Sequence, residues 1–212
     1  MKNFRERANI GELMDDLSRP EQEFDEAYRQ LAKVNRWLGG IRAIERFLPT
    51  GNLLILDVAA GACDVAEAIS RPGRRVVVLD RNPKGLKLAR RSSAVTADAL
   101  EMPFCDETFD VVMASLFFHH LSDDECVRVL KGMWQIARRR VLVNDLHRHP
   151  LAYFSIRVLA AFNRSVMFRH DGPASVLRAF TARELLAIAH RAGIPARVHR
   201  SFPYRLVLVA NK

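Results

Sequence analysis

The chain is poor in cysteine, tyrosine and tryptophan, with three, three and two of them among 212 residues. Cys63, Cys105 and Cys126 are odd in number and far apart, so they suggest neither a disulfide framework nor metal-ligand spacing and read as reduced thiols. No apolar run approaches the ~18 residues of a membrane-spanning helix. The opening Met-Lys-Asn-Phe-Arg-Glu-Arg leads into an acidic, amphipathic stretch with no apolar core or small-residue cleavage site. No signal peptide is therefore expected, and the cytoplasm is the expected compartment. Internal repeats and low-complexity tracts are missing. So are a zinc knuckle and a Gly-x-x-Gly clamp, and the aromatics are not interleaved with arginines as a stacking surface requires, so a nucleic-acid partner is not expected.

The C-terminal third is short of acidic residues. Residues 126–212 hold 16 basic and 3 acidic side chains, against 9 and 9 in residues 1–50 and 8 and 12 in residues 51–125, so the net charge of +9 is local. Of the 33 basic residues 27 are arginine. The excess reads as a solvated basic face, with an anionic substrate, a nucleic acid or a membrane surface as alternatives.

The residues present, 49% hydrophobic and 27% charged, are those of a globular chain able to bury a core, and the length suits one domain spanning 1–212 with some elaboration. From Leu53 short apolar runs alternate with helical patterns, the signature of β-α units on a mostly parallel sheet. The expected strands are Leu53–Val58, Arg75–Asp80, Ala94–Ala97, Phe109–Leu116, Arg140–Asp145, Ala196–Arg200 and Tyr204–Ala210, with helices near Asp64–Ser70, Pro83–Arg91, Asp123–Ala137 and Thr181–Ala192. The last two strands are joined only by Ser201-Phe202-Pro203, too short for a crossover helix, and should form an antiparallel hairpin. Two segments stand outside this alternation: residues 1–50, expected as a helical lid, and residues 146–180, expected as a helical insertion with an apolar helix over Leu151–Phe162 and a loop carrying Arg169 to Pro173.

The first strand-to-helix turn reads Leu56-Asp57-Val58-Ala59-Ala60-Gly61-Ala62-Cys63-Asp64, where small residues let a ligand approach the backbone. The dinucleotide fingerprint Gly-x-Gly-x-x-Gly falls here on Ala59, Gly61 and Asp64. An acidic residue at the third position repels a pyrophosphate. Asp57 and Asp64 instead suit a cationic ligand with an amino-acid end and a sulfonium, which favours S-adenosylmethionine over NAD. Asp80 follows Gly61 by 19 residues, the spacing at which a carboxylate accepts ribose hydroxyls. Arg81 beside it is a candidate cofactor contact, or plain surface charge.

Further on come Asp98-Ala99, Pro103-Phe104 and Asp106-Glu107-Thr108-Phe109-Asp110-Val111-Val112. With the turn above, these residues resemble the class I S-adenosylmethionine-dependent methyltransferases, particularly the branch of the ubiquinone/menaquinone C-methyltransferases. The resemblance covers residues 53–145 and departs from the pattern at Cys63, where the family usually has glycine. It implies a Rossmann-like, doubly wound α/β fold with a seven-stranded, mostly parallel sheet of order 3-2-1-4-5-7-6. It also implies that Asp98 bonds the adenine amino group, that Ala99 contacts the ring, and that Ser115 and Leu116 at the end of the fourth strand face the methionine part. The cofactor would be S-adenosylmethionine, leaving as S-adenosylhomocysteine.

Methyl transfer from a sulfonium is an in-line displacement, and a base is needed only where the acceptor must lose a proton. His119 and His120 follow the fourth strand, at the sheet edge where open α/β sheets bind ligands, and either faces the acceptor or caps strand and helix. His147 follows the fifth strand on the same edge. His119 and His147 are the candidate catalytic residues, with no metal. Arg169, His170 and Asp171 either meet the acceptor or tie down a loop. The expected reaction is methylation of a small, aromatic or lipophilic metabolite, O-methylation ahead of C-methylation, by a monomer or homodimer. An RNA or protein methyltransferase and a non-catalytic module of the same fold are the rivals.

Overall fold

A computed structural model describes residues 3–212; the first two residues of the N-terminal segment lie outside it. Strands β1 (Leu53–Val58), β2 (Arg74–Asp80), β3 (Ser93–Thr96), β4 (Phe109–Ser115), β5 (Ala137–Leu146), β6 (Ala196–Ser201) and β7 (Arg205–Asn211) form one sheet of order β3-β2-β1-β4-β5-β7-β6. The first five pair in parallel, and β7 runs antiparallel to both β5 and β6. The expected order and terminal hairpin are both present.

Position in the sheet follows from composition. β1 and β4 are nearly continuous apolar runs and take the buried centre, whereas β3, Ser-Ala-Val-Thr, is mostly exposed at the edge. Helices α1 (Glu21–Trp37), α2 (Gly40–Glu45) and α3 (Asp64–Ile69) precede or follow β1, and α4 (Pro83–Leu86) follows β2. Next come α5 (Asp123–Ile136), α6 (Pro150–Ala161), α7 (Val166–Arg178) and α8 (Ala182–Arg191). α5 and α8 start at capping boxes, Ser122 with Glu125 and Thr181 with Glu184, in which each cap hydroxyl accepts a backbone N–H and each glutamate answers the cap's own N–H. Two apolar clusters, one on each face of the sheet, carry the core around residues such as Phe109, Met133 and Phe180 and around Ile44, Ile55 and Val111.

Local signals fail in two places. α4 closes after one turn instead of running to Arg91, because the N–H groups of Arg90 and Arg91 both donate to the Glu67 carboxylate, 2.8 Å each. Residues 169–173, expected as a loop, lie inside α7 with Pro173 in the helix. Proline removes its own hydrogen bond and crowds the carbonyl four residues back, a cost of about 3 kcal/mol, which the burial of Met167, Phe168, Ala174, Val176 and Leu177 of α7 offsets. Tertiary packing decides the outcome.

Candidate active site

The C-terminal ends of β1, β2, β3 and β4 surround a cavity of about 460 Å³, lined by the loop 59–62 and by Asp64, Asp80, Arg81, Asp98, Ala99, Ser115 and Leu116, among others. Its shape depends on an unusual backbone: Ala59, Gly61 and Cys63 all lie in the left-handed region, at φ 55°, 49° and 57°. Only one of the three is glycine, and for other residues that conformation costs about 1–2 kcal/mol. The loop is fixed from outside. The Asp80 carboxylate accepts the N–H of Gly61 at 2.8 Å and that of Asn82 at 2.7 Å. A Cβ on Gly85 would come within 2.1 Å of the Gly61 carbonyl, so α4 packs directly against the loop. Cys63 is fully buried, its thiol aimed at the Gly61 and Gly85 carbonyls, and burial followed by the charge of Asp57 pushes it up to about 12. It packs the turn as a neutral thiol.

Asp57, Asp64 and Asp80 make this cavity acidic. All three carboxyls are raised above the ordinary value by burial, and for Asp57 the charges of Asp64 and Asp80 add to it. Asp57 Oδ1 and Asp64 Oδ2 are buried without a hydrogen-bond partner among the described residues. Unpaired buried acceptors beside a cavity favour a ligand carrying positive charge, which fits the sulfonium and ammonium groups of S-adenosylmethionine. Asp57 itself lies beneath the surface, 2% exposed, so it acts on a ligand only through its field and through Asp64.

A second cavity, about 650 Å³, adjoins the first and shares Met14, Leu31, Leu116 and His120 with it. Its walls come from α1, α6, α7 and the β6–β7 turn, including Val34, Trp37, Ile156, Leu159, Met167, Phe168 and Phe202. Leu116 stands between the cavities with φ 55°, its N–H donating to the Asn144 carbonyl. The chain thus accepts strain where the two spaces meet.

His119 lies in the wall of the second cavity. Its Nδ1 is 2.6 Å from Asp145 Oδ1, and its own N–H donates to Asp145 Oδ2 at 3.0 Å. Both side chains are buried. Burial opposes protonation of the ring, but Asp145 and then Glu12 overcome it and raise His119 above the ordinary histidine value; Asp145, also desolvated, is held below the carboxylate range by His119. The bonded Nδ1 leaves Nε2 free, 3.9 Å from Glu12 Oε1. His120 Nδ1 pairs with Asp15 at 2.8 Å, and its Nε2 is 3.8 Å from Glu12. Glu12, His119 and His120 bring ligand-type atoms within 4.8 Å of one another. The Arg178 guanidinium, 3.4 Å from Glu12, already supplies positive charge there, and it donates to the carbonyls of Ile10, His119 and His120. The trio is a charge-balanced polar floor.

Nine of the ten residues expected to meet a cofactor line the first cavity; Asp57 is the exception. His119 and His147 both line the second. They differ in support: His147 is half-buried, has no carboxylate partner among the described residues, and is lowered by burial and by Arg200 and His149. Asp171 spends its oxygens on the N–H groups of Leu13 and Met14 and on His170, so that group ties α7 to the N-terminal segment. Asp145, Glu12, Asn35 and Arg178 went unforeseen as site residues. Asp145 carried a signal, a carboxylate at the end of a buried strand. Asn35 accepts from Arg205 at 3.0 Å and lines the first cavity with Asp64, and Glu12 meets α7 through Ser175 at 2.6 Å; no local pattern announces either.

Residues 55–140 match the family model described as a methyltransferase domain. Curated relatives include demethylmenaquinone methyltransferases of Thermotoga maritima, 33% identical over 42% of this chain and 44% of that protein, and of Thermus thermophilus, 30% identical over 60% and 62%. The chain thus spans about half the length of the curated relatives it matches. Among solved structures, an Aquifex aeolicus SAM-dependent methyltransferase shares the fold at TM-score 0.67 and 16% identity, covering 87% of this chain and 96% of the other. Human N-acetylserotonin methyltransferase, solved with SAM, shares it at 0.71 and 16%, covering 97% and 60%. Residues 55–140 are thus similar to a methyltransferase domain, the fold is shared with S-adenosylmethionine-dependent methyltransferases, and S-adenosylmethionine is the cofactor that the matches support.

Proposed function

We propose that the chain transfers a methyl group from S-adenosylmethionine to the hydroxyl of a small aromatic or lipophilic metabolite, as a cytoplasmic enzyme. The observation that carries this reading is the join of the two cavities: an acidic one beside an apolar one, with His119 held by Asp145 in the apolar wall. In the first cavity, Asp80 would accept the ribose hydroxyls, Asp98 and Ala99 would hold the adenine, and Asp64 would face the amino-acid end. S-adenosylmethionine, when bound, supplies an electrophilic methyl group and leaves as a neutral thioether.

The chain's own residues do the rest. Residues 3–50 and 146–180 cover the sheet edge, exclude water and hold the acceptor in line, which is most of what such a displacement needs. His119 takes the acceptor's hydroxyl proton at Nε2, and Asp145 orients the ring through Nδ1 and stabilises the resulting imidazolium. A phenolate formed this way is methylated on oxygen; the same deprotonation would also activate a neighbouring ring carbon. The relatives' name, demethylmenaquinone methyltransferase, points to quinone-like acceptors among those to try. The test is transfer of labelled methyl from S-adenosylmethionine across a panel of phenols and hydroquinones, with the product atom assigned by NMR. Transfer to a phenolic oxygen that is lost in His119→Ala supports the reading, and donor binding without transfer to any member contradicts it.

A further inference from the structure

The mouth of the second cavity is an exposed apolar surface of a kind that globular chains rarely leave open. Three of its lining residues face solvent strongly: Trp37 at 81%, Leu159 at 51% and Phe202 at 90%. α6 extends the surface, because its exposed Leu151, Phe154 and Val158, with Phe162 just after it, recur three to four residues apart and lie along one side of the helix. Helix, cavity mouth and β6–β7 turn thus present one apolar rim.

The chain segments that supply the exposed rim carry charge of one sign, the carboxylates of Glu12 and Asp171 lying buried deeper in the cavity wall. Trp37 comes from residues 27–44, Leu159 from 146–170 and Phe202 from 185–212, and none of these three stretches contains an aspartate or glutamate. They do carry exposed Lys33, Arg36, Arg42, Arg157, Arg164 and Arg169. None of these six forms an ion pair among the described residues, although many other basic side chains of the molecule do. An apolar rim on segments that carry exposed, unpaired cations is complementary to a surface that offers apolar depth beneath a layer of negative charge.

We infer that this face docks on an anionic phospholipid bilayer, with Trp37, Phe154, Phe162 and Phe202 entering the headgroup boundary and the arginines pairing with lipid phosphates. Aromatic and aliphatic side chains inserted at shallow depth, with basic residues above them, are how a peripheral protein lies on a membrane without spanning it. No helix among the described residues is long and apolar enough to cross one. A nucleic acid explains the cations but leaves Leu151, Val158 and Leu159 in water, since aliphatic side chains give bases nothing to stack on. Docked this way, the second cavity opens toward the lipid, and an acceptor dissolved in the bilayer enters without crossing water. The docking does not depend on the proposed reaction, because it is read without turnover.

The test is sedimentation of the full chain with phosphatidylcholine vesicles, with and without phosphatidylglycerol, while following Trp37 emission and its quenching by brominated lipid. Trp134 on α5, away from the rim, is removed by Trp134→Phe in a parallel sample. The expected result is retention on the anionic vesicles alone, weakened by salt, with a blue-shifted and quenched Trp37. Phe154→Ser with Phe162→Ser should lower partitioning by about tenfold or more, and Arg157→Glu with Arg164→Glu likewise. These positions are exposed and do not line either cavity, so unchanged calorimetric donor binding certifies the fold. The proposal is overturned if the chain stays in solution with anionic vesicles at low salt, or if both variant pairs sediment like the parent. A dimer in solution that Phe154→Ser with Phe162→Ser dissolves, without vesicle binding, also overturns it and makes the face a contact between copies; salt-sensitive RNA binding without vesicle binding does so in favour of nucleic acid.

Discussion

The two cavities differ in origin as much as in chemistry. The acidic one is built mainly from turns that follow β1, β2, β3 and β4, within residues 59–116. The apolar one is assembled from α1, α6, α7 and the last hairpin, so its walls lie more than a hundred residues apart in the chain. The contrast shows that the acidic cavity is encoded locally and the apolar one by packing. A motif fixes a backbone cradle because strand end, turn and helix start are consecutive; a pocket wall needs only apolar side chains from whichever helices pack there.

The sharpest way to break this division is His119→Ala. With the acceptor side intact in the parent, the variant should lose about 10²–10⁴-fold in kcat, with donor affinity unchanged by calorimetry. A comparable loss in donor affinity would mean that the two cavities are not functionally separate. Asp145→Asn should follow at a smaller loss, since the histidine stays in place but its ring loses the charge that raises it.

The pH profile sharpens the same point. His119 must be neutral to take a proton, and its pKa lies above the ordinary ~6.5, so kcat/KM should rise with pH through a limb above that value. In Asp145→Asn the limb should move down. Stability has the signs of an ion pair. The raised histidine contributes fully below its ordinary value and loses this as pH rises through its raised one. The lowered Asp145 contributes above its ordinary value and loses this as pH falls through its depressed one. Thermal melts across pH should therefore be flatter at both ends in His119→Ala.

The smallest expected effect is at Cys63→Gly. Glycine adopts φ 57° without strain but gives up the buried thiol's packing and loses more entropy on folding. These terms oppose each other at about 1 kcal/mol apiece, so the melting temperature should move only slightly and donor affinity should stay within about threefold. A hundredfold gain in donor affinity would mean that the cysteine impairs the cradle.

Legibility in the sequence follows the same split. The seven strands and the first turn with Asp80 were readable because alternation, turn chemistry and spacing are local properties, whereas the strand order and the parts of Asp98, Ala99, Ser115 and Leu116 came from the resemblance to the methyltransferase family. The helix at 166–178 was not, since Pro173 is a local stop signal and the reason it is overridden lies in contacts with the N-terminal segment, such as Asp171 with Leu13 and Met14. His119 was recognisable as a candidate, but what distinguishes it from His147 is Asp145, 26 residues away and reached only when β4 and β5 pair.

Calorimetric titration of S-adenosylhomocysteine into the parent and into Asp80→Ala tests the central claim most directly, because a donor site at the first cavity underlies both the division and the chemistry. The account predicts micromolar binding to the parent and its loss in the variant, with the fold retained by circular dichroism. No binding to the parent, or equal binding to a folded Asp80→Ala, would contradict it.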